Sequence, residues 1–203
     1  MTFVKNALAA GAVVTLLSSS IGPALAADNL LNNGDFGIYT NSTTRFSDWT
    51  ESDSVTRNNI SGNNWAGLGF GSTAANPLSG IISQSFTASF AGTYSVSFDW
   101  LLRAVNSTVG SASLSAILTS GSGPAVTLLS LSKSSGGATS NTSVTSVQLA
   151  ALTEYTIEFT GSRARIDNVN VAAVPGPIAG AGLPLLLGLA GYGAFRRRKA
   201  VAA

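Results

Sequence analysis

Residues 93–103 read TYSVSFDWLLR, and they carry the clearest pattern in the chain. Apolar side chains stand at every second position, and the residues between them are mainly polar. Successive side chains of a β-strand point to opposite faces, so this stretch predicts a strand with one face in a core and the other toward solvent. Such half-buried strands are typical of antiparallel sheets. The residues of the predicted core face are Tyr94, Val96, Phe98, Trp100 and Leu102.

The same period of two recurs in residues 154–160, EYTIEFT, where Tyr155, Ile157 and Phe159 alternate with Glu and Thr. Turn-forming runs of Gly, Ser and Pro separate further candidate strands, and no helical period occurs between the two ends of the chain. This succession of short strands predicts an all-β chain folded as a β-sandwich. The weaker strands are predicted at residues 80–86, 111–118, 126–131, 144–149 and 163–171.

The last predicted strand changes phase along its length. Its apolar residues stand at even positions up to Ile166 and at odd positions from Val169. A strand that keeps its apolar face inward absorbs such a slip with a bulge or a bend, and either one redirects side chains. The step at Asp167-Asn168 is therefore a strand end followed by a turn, or an oxygen-rich site for a hard cation.

An apolar segment at the start of the chain precedes all the predicted strands. Residues 1–26 contain the single cation Lys5, an apolar run at residues 7–17 and a small-residue step at Ala24-Leu25-Ala26. This three-part order predicts a secretory signal peptide that is cleaved after Ala26. The β-sandwich domain is then expected at residues 27–172.

A second apolar segment follows the domain, at residues 173–203. Val174-Pro175-Gly176-Pro177 predicts an extended strip, because proline donates no backbone hydrogen bond and restricts the residue before it. Residues 178–195 lack charge, and at about 1.5 Å per residue they make a helix about 27 Å long, enough to span a bilayer. The basic tail at residues 196–203 opens with the cations that would stop transfer at the cytoplasmic side: Arg196, Arg197, Arg198 and Lys199.

Charge and composition exclude several function classes. The chain has a formal net charge of +2, but residues 28–172 hold six cations and nine acids, a net charge of −3, which argues against nucleic-acid binding. The absence of Cys and His removes thiol, Ser-His and zinc chemistry. Asp48, Glu51 and Asp53 lie too close together in sequence for paired carboxylates across a cleft, so no enzyme is predicted.

Four stretches resemble jelly-roll carbohydrate-binding modules of the galactose-binding-like type. They are the opening NLLNNGDF (residues 29–36) with FSDWT (46–50), the central FAGTYSVSF (90–98) and the closing IDNV (166–169). The resemblance implies a jelly-roll β-sandwich, in which Trp49 packs inside. It further implies a structural calcium ion held by Asp35 and Asp167 with backbone carbonyls.

A sugar site requires exposed aromatic faces with amides and carboxylates nearby. Trp65 lies in the Asn-rich run at residues 58–71, which is predicted as a loop, and Tyr39 lies near the opening motif. We expect Trp65, together with Tyr39, to contact a carbohydrate ligand. The alternative is a loop tryptophan that folds back onto the sandwich.

The order of VPGP, apolar span and Arg-rich end resembles the PEP-CTERM sorting signal, in its VPGP variant. The resemblance implies a Gram-negative cell that makes extracellular polysaccharide, and an exosortase-type enzyme that processes the chain at the membrane. The expected route is export, an inner-membrane intermediate, and then the cell surface or extracellular matrix. The expected function is a non-catalytic association with polysaccharide; the alternatives are a purely structural surface protein and a permanent membrane anchor.

Overall fold

The computed structural model describes residues 28–40, 46–52, 54–71, 76, 78–106, 110–121 and 123–175. Within these residues the chain forms two five-stranded antiparallel sheets and no helix. Sheet I contains, in spatial order, β1 (Thr50–Glu51), β4 (Gly80–Ala88), β9 (Thr153–Ser162), β6 (Ala112–Ser120) and β7 (Val126–Lys133). Sheet II contains, in spatial order, β2 (Val55–Ile60), β3 (Asn63–Leu68), β10 (Ala164–Ala173), β5 (Gly92–Leu102) and β8 (Thr139–Leu149).

The alternating stretch 93–103 forms β5, which pairs with β10 on one side and β8 on the other. The side chains of Tyr94, Val96, Phe98 and Leu102 are buried, as their period of two predicts. All the other predicted strands also form, and β8 begins five residues earlier than residue 144. The prediction of an all-β, jelly-roll β-sandwich is confirmed.

Aromatic side chains join the two sheets in the core. Phe98 of sheet II meets Phe159 of sheet I edge to face, with ring centroids 4.9 Å apart. Trp49 packs beside Phe159, and its indole N–H donates a hydrogen bond to the carbonyl of Asn33 at 3.0 Å. Trp100 is partly buried against the same core. Both tryptophans that are predicted to be internal therefore contribute to the core.

The prediction of a loop at residues 58–71 is wrong for most of its length, because β2 and β3 form a hairpin there. Ser61 and Gly62 connect the strands with φ angles of 54° and 88°, the left-handed conformations of a two-residue type I′ turn. Asparagine is disfavoured in strands, which explains the wrong prediction. A side-chain hydrogen bond of 3.1 Å between Asn59 and Asn64 links the two strands.

The phase change in the last strand is a β-bulge. The register between β10 and β5 shifts between Asp167 and Asn170, and Asn168 has a φ of 50°. Ile166 before the shift and Val169 after it are both buried. The bulge thus keeps the apolar side chains of β10 in the core on both sides of the slip.

The bulge also changes the neighbour of β10. β3 pairs with β10 only as far as Ile166. Beyond that residue the N-terminal segment, residues 29–34, lies beside β10. The backbone N–H of Leu30 donates to the carbonyl of Val171 at 2.8 Å, and the N–H of Val169 donates to the carbonyl of Gly34 at 2.8 Å.

Two amide side chains fix the N-terminal segment. The Asn29 side chain donates to the carbonyl of Val169 and accepts from the N–H of Val171, each at 2.9 Å. Gln84 lies in the core and forms two hydrogen bonds with the backbone of Asn32, one as donor and one as acceptor. These bonds satisfy buried polar groups on both partners.

Several predicted segments lie outside the described residues: the signal peptide at 1–26, the span at 178–195 and the basic tail at 196–203. Among the residues that the structure does describe, none belongs to a helix with the length and hydropathy to cross a bilayer.

The contact of Gly34 with β10 gives a test of this arrangement. A Cβ atom on residue 34 would lie 2.1 Å from the carbonyl oxygen of Val169, a backbone atom, so Gly34→Ala must push the N-terminal segment away from β10. We expect a loss of about 2 kcal/mol or more in the free energy of unfolding, measured by urea denaturation. Gly92→Ala is the control, because an added Cβ meets nothing within 4 Å there. Equal effects of the two changes would contradict the arrangement.

Candidate functional site

The outer face of sheet II carries aromatic and cationic side chains close together. Trp65 of β3 stands opposite Asn58 of β2, and Gly67, two residues further along β3, stands opposite Arg165 of β10. Alternate residues of a strand share a face, and Ala66 between them is buried. Five side chains on this face form a candidate binding surface, which we call the outer strip: Asn58, Trp65, Phe70, Arg103 and Arg165.

Trp65 is the unusual aromatic residue of this face. It is partly buried, and within the described residues it is not among the side chains packed against the core cluster, its ring meets no other aromatic ring, and its indole N–H has no hydrogen-bond partner. Trp49, by contrast, uses its ring and its N–H inside the protein. Within the described residues, the indole N–H of Trp65 and part of its ring are therefore left for a ligand.

The lack of a side chain at Gly67 shapes the strip. A Cβ atom there would lie 2.1 Å from Nδ2 of Asn58 and 2.8 Å from the ring of Phe70. Glycine thus lets the Phe70 ring and the Asn58 amide lie directly on the sheet. Phe70 follows β3, so its position depends on this contact rather than on strand pairing.

Two guanidinium groups contact the Phe70 ring. The Cζ atoms of Arg103 and Arg165 lie 4.8 and 4.9 Å from the ring centroid, within the range of cation–π interactions. Arg165 also donates a hydrogen bond from Nη2 to Oδ1 of Asn58 at 3.3 Å, while its Nε is buried without an acceptor. Within the part of the chain that the structure describes, neither arginine forms an ion pair.

A third arginine lies behind this pair. Arg163 is the single residue between β9 and β10, where the chain passes from sheet I to sheet II, and it has a φ of 54°. Its carbonyl accepts from the N–H of Arg103 at 3.0 Å, and its Nη2 donates to the carbonyl of Ala104 at 3.1 Å. Burial, and then the charge of Arg103, lowers the pKa of both Arg163 and Arg165.

An acidic cluster lies level with Trp65 on the neighbouring strands β10 and β5. Asp167 in the bulge is fully buried and faces Asp99 of β5 in the register. Its two carboxylate oxygens accept hydrogen bonds from Nδ2 of Asn63 and from the N–H of Asn168. Asp99 in turn accepts from Nδ2 of Asn168 at 2.8 Å and from the hydroxyl of Thr142.

Burial raises the pKa of Asp167 to about 6, against an ordinary value of 3.8. The hydrogen bonds from Asn168 and Asn63 oppose this increase, and the charges of Asp99 and Asp35 add to it. Part of the increase in the pKa of Asp167 therefore comes from the two nearby carboxylates, Asp99 and Asp35.

Calcium at Asp35 and Asp167 stays a prediction. The structure brings the two carboxylates close enough to interact, and Oδ1 of Asp35 accepts from the N–H of Gly37 at 3.1 Å. Among the described residues, no group of three or more acidic side chains is placed to hold a metal ion. A calcium ion, which takes six to eight oxygens, would thus need backbone carbonyls or amide oxygens beside this pair.

Tyr39 does not lie on the outer strip. Tyr39 is 42% exposed, and the Cζ atom of Arg57 lies 3.9 Å from the centroid of its ring. Arg57 stands opposite Ala66, so it leaves the hairpin on the face opposite to that of Trp65. The two aromatic residues that are predicted to bind carbohydrate are therefore on different faces.

The remaining predicted residues lie elsewhere. The side chain of Glu51 accepts a hydrogen bond from the N–H of Phe46, Asp48 is exposed, and Asp53 lies outside the described residues. Val174 follows β10, is 43% exposed and donates from its N–H to the carbonyl of Thr93 at 2.9 Å. The described part of the sorting motif ends at Pro175; Gly176, Pro177 and the four consecutive cations of the tail lie beyond it.

No family model matches the chain, and no curated protein matches its sequence. Among solved structures, the module CBM61, solved with β-1,4-galactotriose, is 16% identical over 72% of this chain and 99% of that one, with a TM-score of 0.48. The CBM22-1 xylan-binding domain from Paenibacillus barcinonensis is 12% identical over 75% and 98% of the two chains, with a TM-score of 0.46. The enzymatically active domain of tailspike protein 4 from bacteriophage CBA120 is 18% identical over 72% and 21%, with a TM-score of 0.45. At these identities the similarity concerns the fold alone.

The sequence pattern did not indicate Phe70, Arg103 or Arg165 as site residues. The arginines are 62 positions apart in the numbering and meet only because β5 and β10 are neighbours. The sequence does carry one local indication of a shared face. Arg103 and Arg165 both stand at outward-facing positions of a stretch in which apolar and polar residues alternate. Two cations on the outer phase of two strands indicate a shared face once the strands are known to pair.

The buried carboxyl of Asp167 predicts a pH dependence of stability. Its pKa is about 6 in the folded protein and near 3.8 in the unfolded chain, so the folded state binds more protons between these values. The contribution of this carboxyl group to the free energy of unfolding therefore decreases by up to about 3 kcal/mol as the pH rises from 4 to 7. Asp167→Asn should lack this loss in urea denaturation measured in EDTA.

The comparison of wild type with Asp167→Asn cancels the contributions of other acids. A difference in unfolding free energy that is constant from pH 4 to 7 would contradict the raised pKa. The calcium prediction is tested in the same series at pH 7: bound calcium should stabilise the wild type and not the variant, and equilibrium dialysis without calcium uptake would dispose of it.

Proposed function

We propose that the protein is an exported, non-catalytic β-sandwich that binds polysaccharide through the outer strip and is sorted to the cell surface or extracellular matrix. The observation that supports binding most directly is Trp65, which lies outside the core cluster and whose indole N–H has no hydrogen-bond partner among the described residues. A partly exposed tryptophan with a free N–H on a sheet face is suited to contact a ligand.

The neighbours of Trp65 have the chemistry that sugar recognition requires. The amides of Asn58 and Asn63 and the carboxylate of Asp99 supply hydrogen-bond donors and acceptors around an aromatic surface. Sugar rings present apolar C–H faces and hydroxyl edges, which such a combination matches. The face belongs to paired strands rather than to a loop, so these side chains are held in fixed positions.

The same face is unsuited to glycoside hydrolysis. That reaction requires two carboxyl groups that flank a bond of the substrate, one of which must give it a proton. Asp167 has the raised pKa of an acid, but it is fully buried and both its oxygens accept hydrogen bonds from the protein. It cannot reach a glycosidic oxygen, which supports a binding role without turnover.

Sorting is proposed from residues 173–203. An exosortase-type enzyme would recognise Val174-Pro175-Gly176-Pro177 while residues 178–195 hold the chain in the inner membrane. The exposed position of Val174 at the end of β10 supports this proposal, because a membrane enzyme must reach the strip without unfolding the sandwich. Release at that strip would then leave the sandwich free of its membrane segment.

Binding is tested by affinity electrophoresis of the full chain against a panel of polysaccharides. Trp65→Ala should weaken retention by about tenfold or more, because aromatic contacts carry much of the energy of such sites. Tyr39→Ala is the matched control on the opposite face, and it should leave retention unchanged. If neither the wild type nor the variants are retained by any polysaccharide, the alternative of a structural surface protein takes the place of this proposal.

Sorting is tested by mass spectrometry of the protein isolated from the surface of the cells that make it. The expected product begins at Ala27 and ends near Val174 to Pro177, and Pro175→Ala with Pro177→Ala should leave the C-terminal segment attached. A surface protein with its C-terminus intact through Ala203 would indicate a permanent anchor instead.

A further inference from the structure

We infer that the outer strip selects acidic polysaccharide: Arg103 and Arg165 bind the carboxylate of a uronic acid while a neighbouring sugar ring stacks on Trp65. This inference rests on the proposed function, since it names the class of polysaccharide that the strip takes. It assigns a role to three side chains that the packing of the sandwich leaves unexplained: Phe70, Arg103 and Arg165.

The two arginines have no ion-pair partner within the described residues. The charge that lowers the pKa of Arg165 is that of another cation, Arg103. Arg165 has its Nε–H buried without an acceptor. Burying a cation without a counter-ion raises the free energy of the folded protein. An anionic ligand that pairs with these guanidinium groups would therefore bind more tightly than a neutral one.

The Phe70 ring holds the two guanidinium groups in place. Both lie within 5 Å of its centroid, and the Asn58 amide fixes Arg165 from the other side. A planar guanidinium group that is already ordered presents its N–H groups as a fork to a carboxylate with little further loss of entropy. The arrangement is thus prepared for a carboxylate rather than for a neutral hydroxyl group.

Trp65 lies at a suitable distance from this pair. It precedes Gly67 by two residues on β3, and Gly67 stands opposite Arg165. From the rise along a strand and the spacing between strands, the Cα atoms of Trp65 and Arg165 are about 8 Å apart. Neighbouring rings of one polysaccharide chain can therefore contact both residues.

The acidic cluster restricts the position of further carboxylates. Asp167 is two residues from Arg165 on β10 and stands opposite Asp99 of β5, so both acids lie level with Trp65, and residues 28–172 carry a net charge of −3. A second carboxylate at the level of Trp65 would be repelled. The strip therefore suits a polymer with isolated uronic acids better than one in which every sugar is acidic.

Glucuronoxylan is a suitable probe, because its glucuronic acids are isolated and its carboxyl groups can be reduced chemically to give a neutral polymer of the same backbone. Isothermal titration of the full chain should show about tenfold tighter binding to the acidic form, with a preference that weakens as salt is added. Arg165→Gln and Arg103→Gln should each abolish this preference, so that the variant binds the acidic and the reduced polymer with equal affinity.

Arg57→Gln is the matched control, because it removes the same charge from the opposite face and should keep the preference. Circular dichroism establishes that each variant is folded. If Arg165→Gln does not fold, the same measurement is made with Arg103→Gln, which lies just after β5. The wild type could bind both polymers with equal affinity, and Trp65→Ala could weaken the binding of both. That result would overturn this inference and leave the proposed function standing. Binding of neither polymer by a chain that retains other polysaccharides would likewise overturn only the inference, whereas retention of none would overturn both.

Discussion

The bulge between Asp167 and Asn170 is the constraint on which the arrangement of sheet II depends. The apolar residues of β10 change phase there, and only an extra residue in the strand keeps Ile166 and Val169 in the same core. The shift ends the pairing of β10 with β3, and it opens the edge of β10 to the N-terminal segment. One local irregularity thus decides how the first and last parts of the domain meet, and Gly34 fits this contact because it has no side chain.

The same irregularity divides the outer face into two regions of opposite charge. On the bulge side, Asp167 is buried opposite Asp99, and its pKa rises to about 6. On the regular side, β3 and β10 remain paired and bring Arg165 against Gly67. Arg163 enters β10 in a left-handed conformation, which non-glycine residues adopt at a cost and which is frequent at functional sites. Trp65 lies at the boundary between the two regions.

Much of the fold could be predicted from local patterns, because a period of two survives without knowledge of the partner strand. The bulge was visible in the same way, as a change of phase at Asp167. The β2–β3 hairpin was not, because its asparagines favour loops, and what stabilises it is a type I′ turn and bonds between side chains such as Asn59 and Asn64. The outer strip depends on strands distant in sequence, so Arg103 and Arg165 could not be related to Trp65 before the pairing of β3, β10 and β5 was known.

Contact of an acidic sugar with the outer strip of sheet II, and with no other part of the domain, can be detected by nuclear magnetic resonance of the ¹⁵N-labelled chain titrated with an aldouronic acid oligosaccharide from glucuronoxylan. The indole N–H signal of Trp65 and the side-chain N–H signal of Arg165 should shift together, while the indole signal of Trp49, whose N–H is bonded to Asn33, stays in place. Shifts at Tyr39 and Arg57 with none at Trp65 would contradict binding at the outer strip.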